Sequence, residues 1–175
     1  MTPDVNRLQK NLANLQTVLD QIEFEFIDDP EWAEPSDTSY LNETDRADPD
    51  TMANVAAMDA TNKLIAWFGR DQEGGFVGLW RGPEKTPLER APVVRLDNEG
   101  QYNLVAATVP DYVAVSDMDD EAFNDTRAAL VAAGFNVAAS REEIWQALDG
   151  MSDPNAFRNE LYNQDRVRRG LRPIE

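Results

Sequence analysis

The chain has 175 residues, 16 Lys and Arg against 33 Asp and Glu, and neither His nor Cys, giving a formal charge of −17. Without His and Cys there is no Ser-His-Asp triad, no Cys nucleophile, no imidazole proton shuttle, no His/Cys zinc site, no disulfide and no iron–sulfur cluster. So acidic a surface repels phosphate backbones and anionic bilayers, and no apolar run approaches the ~18 residues of a membrane span, so neither nucleic acid nor membrane is expected as a partner. Met1-Thr2-Pro3-Asp4 lacks the basic and apolar stretches of a secretory signal. The expectation is one cytoplasmic domain over residues 1–175, with no cofactor.

Val5, Leu8, Leu12, Leu15, Leu19 and Ile22 recur at three- and four-residue spacing, which predicts one amphipathic helix, capped by Thr2 with Pro3 in its first turn. Glu23 to Ile27 either extends it or turns into a short strand. Residues 28–50 contain three Pro and many acids and read as a long loop, and 51–62 are Ala- and Met-rich and read as helix. The apolar runs Leu64–Phe68 and Phe76–Trp80 flank a Gly74-Gly75 turn and predict a hairpin. Pro92–Leu96 and Tyr102–Ala106, joined by Asn98-Glu99-Gly100, add two strands to an antiparallel meander with one face to be covered. Ser116 with Asp119 resembles a capping box before a helix over 118–133. Ser140 with Glu143 is a second such box, and Asp153-Pro154 opens a last helix through Phe157, Leu161 and Val167. A strand block at 63–107 between an N-terminal helix over 1–27 and a helical part over 110–170 indicates an α+β fold. Its centre is an antiparallel meander of four or more strands packed against N- and C-terminal helices.

The acidity is concentrated in residues 1–60, which carry 14 acidic and 3 basic side chains, whereas 151–175 carry 4 and 5. The dense stretch Asp28 to Asp37 reads as a solvated loop or as a face for a basic partner, with Trp32 as an aromatic anchor among carboxylates. The candidate partner-binding residues are Asp28, Asp29, Glu31, Trp32, Glu34 and Asp37, backed by Asp45, Asp48 and Asp50. The chain has three Lys against 13 Arg, a usage that a GC-rich genome or a salty cytoplasm also produces. Asp117 to Glu121 looks like a calcium loop but has Ala122 where that loop needs Gly and Ala128 where it needs Glu. Trp67, Trp80 and Trp145 lie in apolar segments and read as core. Arg166, Arg168, Arg169 and Arg172 form a basic tail for an acidic partner, for the acidic first third, or for a helix C-terminus.

Gly78-Leu79-Trp80-Arg81, then Pro92-Val93-Val94-Arg95-Leu96-Asp97-Asn98-Glu99-Gly100, then Leu104-Val105-Ala106 resemble the SUKH superfamily, over residues 63–115, about a third of the chain. That family includes fungal cell-wall regulators and immunity proteins of bacterial polymorphic toxin systems. The resemblance implies a non-catalytic, cytoplasmic protein that neutralises a cognate, basic toxin domain by direct stoichiometric binding. In it, Gly78, Trp80, Pro92, Val93, Asp97, Asn98, Glu99 and Gly100 are mainly structural. The chain departs from the family pattern at the acidic 28–50 segment. Two other readings use the same acids: a carboxylate-based, metal-dependent hydrolase, and an acidic DNA-mimic inhibitor or regulatory binding module.

Overall fold

The apolar stripe at the start of the chain forms two helices rather than one. The computed structural model of the protein describes residues 2–27, 35–71, 73–116 and 119–174. Helix α1 (Pro3–Lys10) begins as expected, with the Thr2 hydroxyl accepting from the Val5 amide. Asn11 then interrupts the run, its side-chain amide donating to the Arg7 carbonyl, and α2 (Leu12–Gln21) follows. Val5, Leu8, Leu15, Leu19 and Ile22 are buried in both pieces, so the break leaves the stripe on one face. Glu23 to Ile27 resolves to a strand, β1 (Glu25–Phe26).

The expected loop over 28–50 is partly helical. Asn42 and Asp45 make a reciprocal capping box that starts α3 (Glu43–Ala47). Asp48 accepts from the Asp50 and Thr51 amides and starts α4 (Pro49–Asn62).

Strands β2 (Ile65–Arg70), β3 (Phe76–Trp80), β4 (Val93–Leu96) and β5 (Tyr102–Ala106) match the four expected. With β1 they form a five-stranded antiparallel meander in the order β1-β2-β3-β4-β5. The register shifts between Trp67 and Gly69 and between Val93 and Val94, where one strand carries an extra residue. A 3₁₀ turn at Leu88–Arg90 interrupts the connection into β4.

Both faces of the sheet are covered, not one. Phe68, Val77, Leu79 and Val93 pack against α1, α2, α5 (Val109–Val115), α6 (Asp120–Ala132) and α7 (Arg141–Gln146). Ile65, Trp80, Val94, Leu96 and Tyr102 form a second cluster, joined by Met58 of α4 and Phe157 of α8 (Pro154–Arg168). The longest helix has 15 residues, and among the described residues no helix is long and apolar enough to cross a membrane.

Three local expectations change. Ser116 does not cap the helix after it; it ends α5 and donates to the Tyr112 carbonyl, while Asp119 accepts from the Glu121 and Ala122 amides to start α6. At the Ser140 box the hydroxyl accepts from the Glu143 amide, but the Glu143 carboxylate accepts from Ala139 rather than Ser140. Trp145 is 53% exposed. Helix α7 has six residues and buries Arg141 and Ile144, one turn apart, which leaves Trp145 on the outside. Trp80 is core, 1% exposed, with its indole N–H donating to the Ser152 carbonyl and hydroxyl, and Trp67 is half-buried against Phe76.

At Gly78 strands β2 and β3 pack too closely for a side chain. A Cβ there would overlap the Ile65 methyl and lie 2.8 Å from the Trp67 ring. Gly78→Ala should therefore lower stability by about 1–3 kcal/mol through overpacking. Urea unfolding checks this, and an unchanged midpoint would contradict the packing described.

Candidate functional site

Two hairpin turns meet at one end of the sheet and are tied together by side chains. In the β2–β3 turn the Asp71 carboxylate accepts from the Glu73 and Gly75 amides. In the β4–β5 turn Asp97 accepts from the Glu99 and Gln101 amides, and Gly100 takes a φ of 77° that favours glycine. Arg95, one register position before the second turn, bridges Asp71 and Glu73, and the Asn98 side-chain amide donates to the Glu73 carbonyl. The guanidinium pKa is raised, chiefly by Asp71, with Glu73 adding to it against the opposing effect of burial.

The segment 35–42 is anchored beside these turns. The Arg46 guanidinium donates to the Thr38 carbonyl at 2.8 Å and the Leu41 carbonyl at 3.2 Å. Asn62 donates to the Ser36 hydroxyl at 3.1 Å and accepts from the buried Tyr102 hydroxyl at 2.7 Å. This chain runs from the loop through α4 to β5. It fixes a loop on which Tyr40 stands 74% exposed.

Between the loop and the second turn lies a groove of about 370 Å³, floored by Met58, Phe76 and Leu96. Pro35 and Tyr40 line one side and Asp97 to Gly100 the other. Gly74 borders this groove and also a second concavity lined by Asp20, Glu23, Glu25, Arg70 and Asp71. Asp20, Glu23, Glu25, Glu73 and Glu99 are exposed, so the turn end of the sheet has an acidic rim. On the opposite face Arg95 and Tyr112 line a cleft of about 210 Å³, where burial pushes the Tyr112 phenol up.

No family model, curated protein or solved structure matches the chain.

The sequence-predicted residues divide sharply. Asp28, Asp29, Glu31, Trp32 and Glu34 lie outside the described residues. Asp37, Asp45, Asp48 and Asp50 are not on the groove; each holds local structure. Asp37 accepts from the Ser39 amide and hydroxyl, Asp45 completes the cap of α3, and Asp48 caps α4. Asp50 accepts from the Tyr162 hydroxyl at 2.7 Å and pairs with Arg166, fastening α4 to α8. Of the resemblance-based residues, Asp97, Asn98, Glu99 and Gly100 line the groove, while Gly78, Trp80, Pro92 and Val93 are buried in the sheet. Tyr40, Met58 and Glu73 were not anticipated. Tyr40 is the one aromatic in a polar run, Asp37 to Asn42, and that was the available signal.

The Asp37, Asp48 and Asp50 carboxyls sit below the ordinary aspartate value. The first cause is the Ser39 amide for Asp37, the Thr51 hydroxyl for Asp48 and the Tyr162 hydroxyl for Asp50. This is the direction of fixed acceptors and the opposite of a general acid. Among the described residues, no group of three or more acidic side chains is placed to hold a metal ion.

The Asp50 shift sets a pH dependence. Its folded-state pKa is depressed, so the ionised carboxylate favours the fold above the ordinary value of about 4, and that contribution disappears as pH falls through the lower folded-state value. Asp50→Asn should lower the urea midpoint at pH 7, with the gap to the parent closing as pH falls below the ordinary aspartate range. A gap that stays constant through the acid range would show that the ionised carboxylate is not what fastens the helices.

Proposed function

We propose that the protein is a non-catalytic interaction protein that captures a basic protein partner at the turn end of its sheet. The observation that carries this reading is Tyr40, exposed on an anchored loop beside an apolar-floored groove with an acidic rim. On a backbone that Arg46 anchors, tyrosine has only two side-chain torsions to fix on binding, and it is among the residues that dominate interface energetics. Met58 in the floor gives the groove a side chain that adapts to an incoming apolar group. Glu23, Glu25, Glu73 and Glu99 steer positive charge toward the groove, while Arg95 is neutralised by its two carboxylate partners.

The SUKH resemblance supports a non-catalytic binding protein, and its mainly structural Asp97 to Gly100 turn borders the groove. On that basis the partner is a toxin domain, the setting is the cytoplasm, and the protein acts by stoichiometric occlusion.

The test is co-expression with the product of the adjacent gene and purification through this chain. A one-to-one complex with a basic protein that is toxic alone, weakened by salt, is the expected result. Tyr40→Ala should then raise Kd about 30-fold or more. Glu25→Lys with Glu99→Lys, both exposed and outside the Arg95 ion pairs, should slow association with little change in the thermal midpoint of the free protein. A neighbour that neither binds nor is toxic would overturn the immunity reading, and a complex indifferent to Tyr40 would move the contact elsewhere.

A further inference from the structure

Helix α8 has two dissimilar sides. Inward, Phe157 packs on Trp80, Arg158 donates to Asn54, and Tyr162 and Arg166 hold Asp50. Outward, Glu160, Gln164 and Arg168 recur at four-residue spacing beside Val167, which is 57% exposed. The chain turns at Gly170, with a φ of 80°, and residues 171–174 fold back along the helix. The Ile174 amide donates to the Asn163 side chain at 2.8 Å, the Asn163 side chain donates back to the Ile174 carbonyl at 3.1 Å, and Arg166 donates to the Arg172 carbonyl at 2.8 Å. These bonds pin the segment while Ile174 is 52% exposed. Helix and segment together form an open, mainly apolar groove lined by Glu160, Asn163, Gln164, Val167, Arg168 and Pro173.

We propose that this groove is a homodimer interface, occupied by α8 of a second copy running antiparallel across a two-fold axis near Gln164. Two features select that occupant. The first is charge balance: a chain of charge −17 repels itself, but residues 151–175 carry 5 basic and 4 acidic side chains, so copies approach there with least opposition. The second is self-complementarity. With Gln164 at the axis, Glu160 of each copy, four residues before it, meets the other's Arg168, four residues after it, and both pairs form at once. Among the described residues Arg168 makes one ion pair, a long 4.0 Å contact with Asp165, which Arg169 holds at 2.6 Å, so its charge faces outward for a second chain. Val167 and Ile174 supply exposed apolar surface on either side of that axis.

Sedimentation of the full chain at micromolar concentration tests the proposal, independently of any basic partner. The expected species is twice 19.7 kDa. Glu160→Arg alone and Arg168→Glu alone should each weaken the dimer by about tenfold or more, because each places like charges opposite each other twice. The double charge reversal should restore it. Because the chain has no Cys, Gln164→Cys gives a clean reporter that should cross-link between copies on oxidation, whereas Trp145→Cys should not. All these positions are exposed, so circular dichroism should show folded variants. A 19.7-kDa monomer throughout the micromolar range, or a dimer indifferent to the single reversals, would overturn the proposal.

Discussion

Both halves of the strand alternation are apolar, and the rest of the architecture answers to that. Val77, Leu79 and Val93 project to one side of the meander; Ile65, Trp80, Val94, Leu96 and Tyr102 project to the other. An antiparallel sheet with one polar face can leave that face in water; this one cannot. The chain therefore assigns α1, α2 and α5 to α7 to one side and reserves α4 and α8, far apart in sequence, for the other. Asp50, Tyr162 and Arg166 exist as a set because those two helices have to be held together over the second face.

The charge of the protein serves this architecture more than its composition suggests. Asp37, Asp45, Asp48, Asp71, Asp97, Asp111, Asp119 and Asp153 each accept from a backbone amide at a turn, a helix start or a loop. A short carboxylate side chain reaches nearby amides that a longer one overshoots, which gives the excess of Asp over Glu a structural reason. The glutamates at the turn end, Glu23, Glu25, Glu73 and Glu99, remain exposed. Much of the acidity therefore fastens the backbone through aspartates, while the outer field at the turn end comes mainly from glutamates, with Asp20 beside them.

What was legible in the sequence was local. Thr2, Ser140 and Asp153 were readable as caps because a cap depends on amides within three residues. The four strands were readable because their turns carry Gly, Asp and Asn. The break at Asn11 was not readable, since the apolar stripe continues across it. Nor was Ser116, whose spacing to Asp119 imitates a cap but whose hydroxyl turns back to Tyr112. Trp145 failed for a different reason: residue type suggests burial, while the six-residue length of α7 decides which side is covered. The candidate site was half visible. Asp97 to Gly100 stood out as a turn, but its neighbours Tyr40, Met58 and Gly74 come from three other parts of the chain, joined by strand register and the Ser36–Asn62–Tyr102 chain of hydrogen bonds.

The pairing of α4 with α8 also orders events during synthesis. The meander joins neighbours in sequence, so β2 to β5 can pair as they leave the ribosome, and α5 to α7 can close the first face soon after. The second face has only α4 until α8 follows. For that interval Trp80, Val94, Leu96 and Tyr102 form an incompletely covered apolar surface on a nascent chain, the kind of surface a chaperone binds. Contacts of α8 with α4 that span more than a hundred residues, such as Tyr162 with Asp50, mark the moment at which that surface is withdrawn.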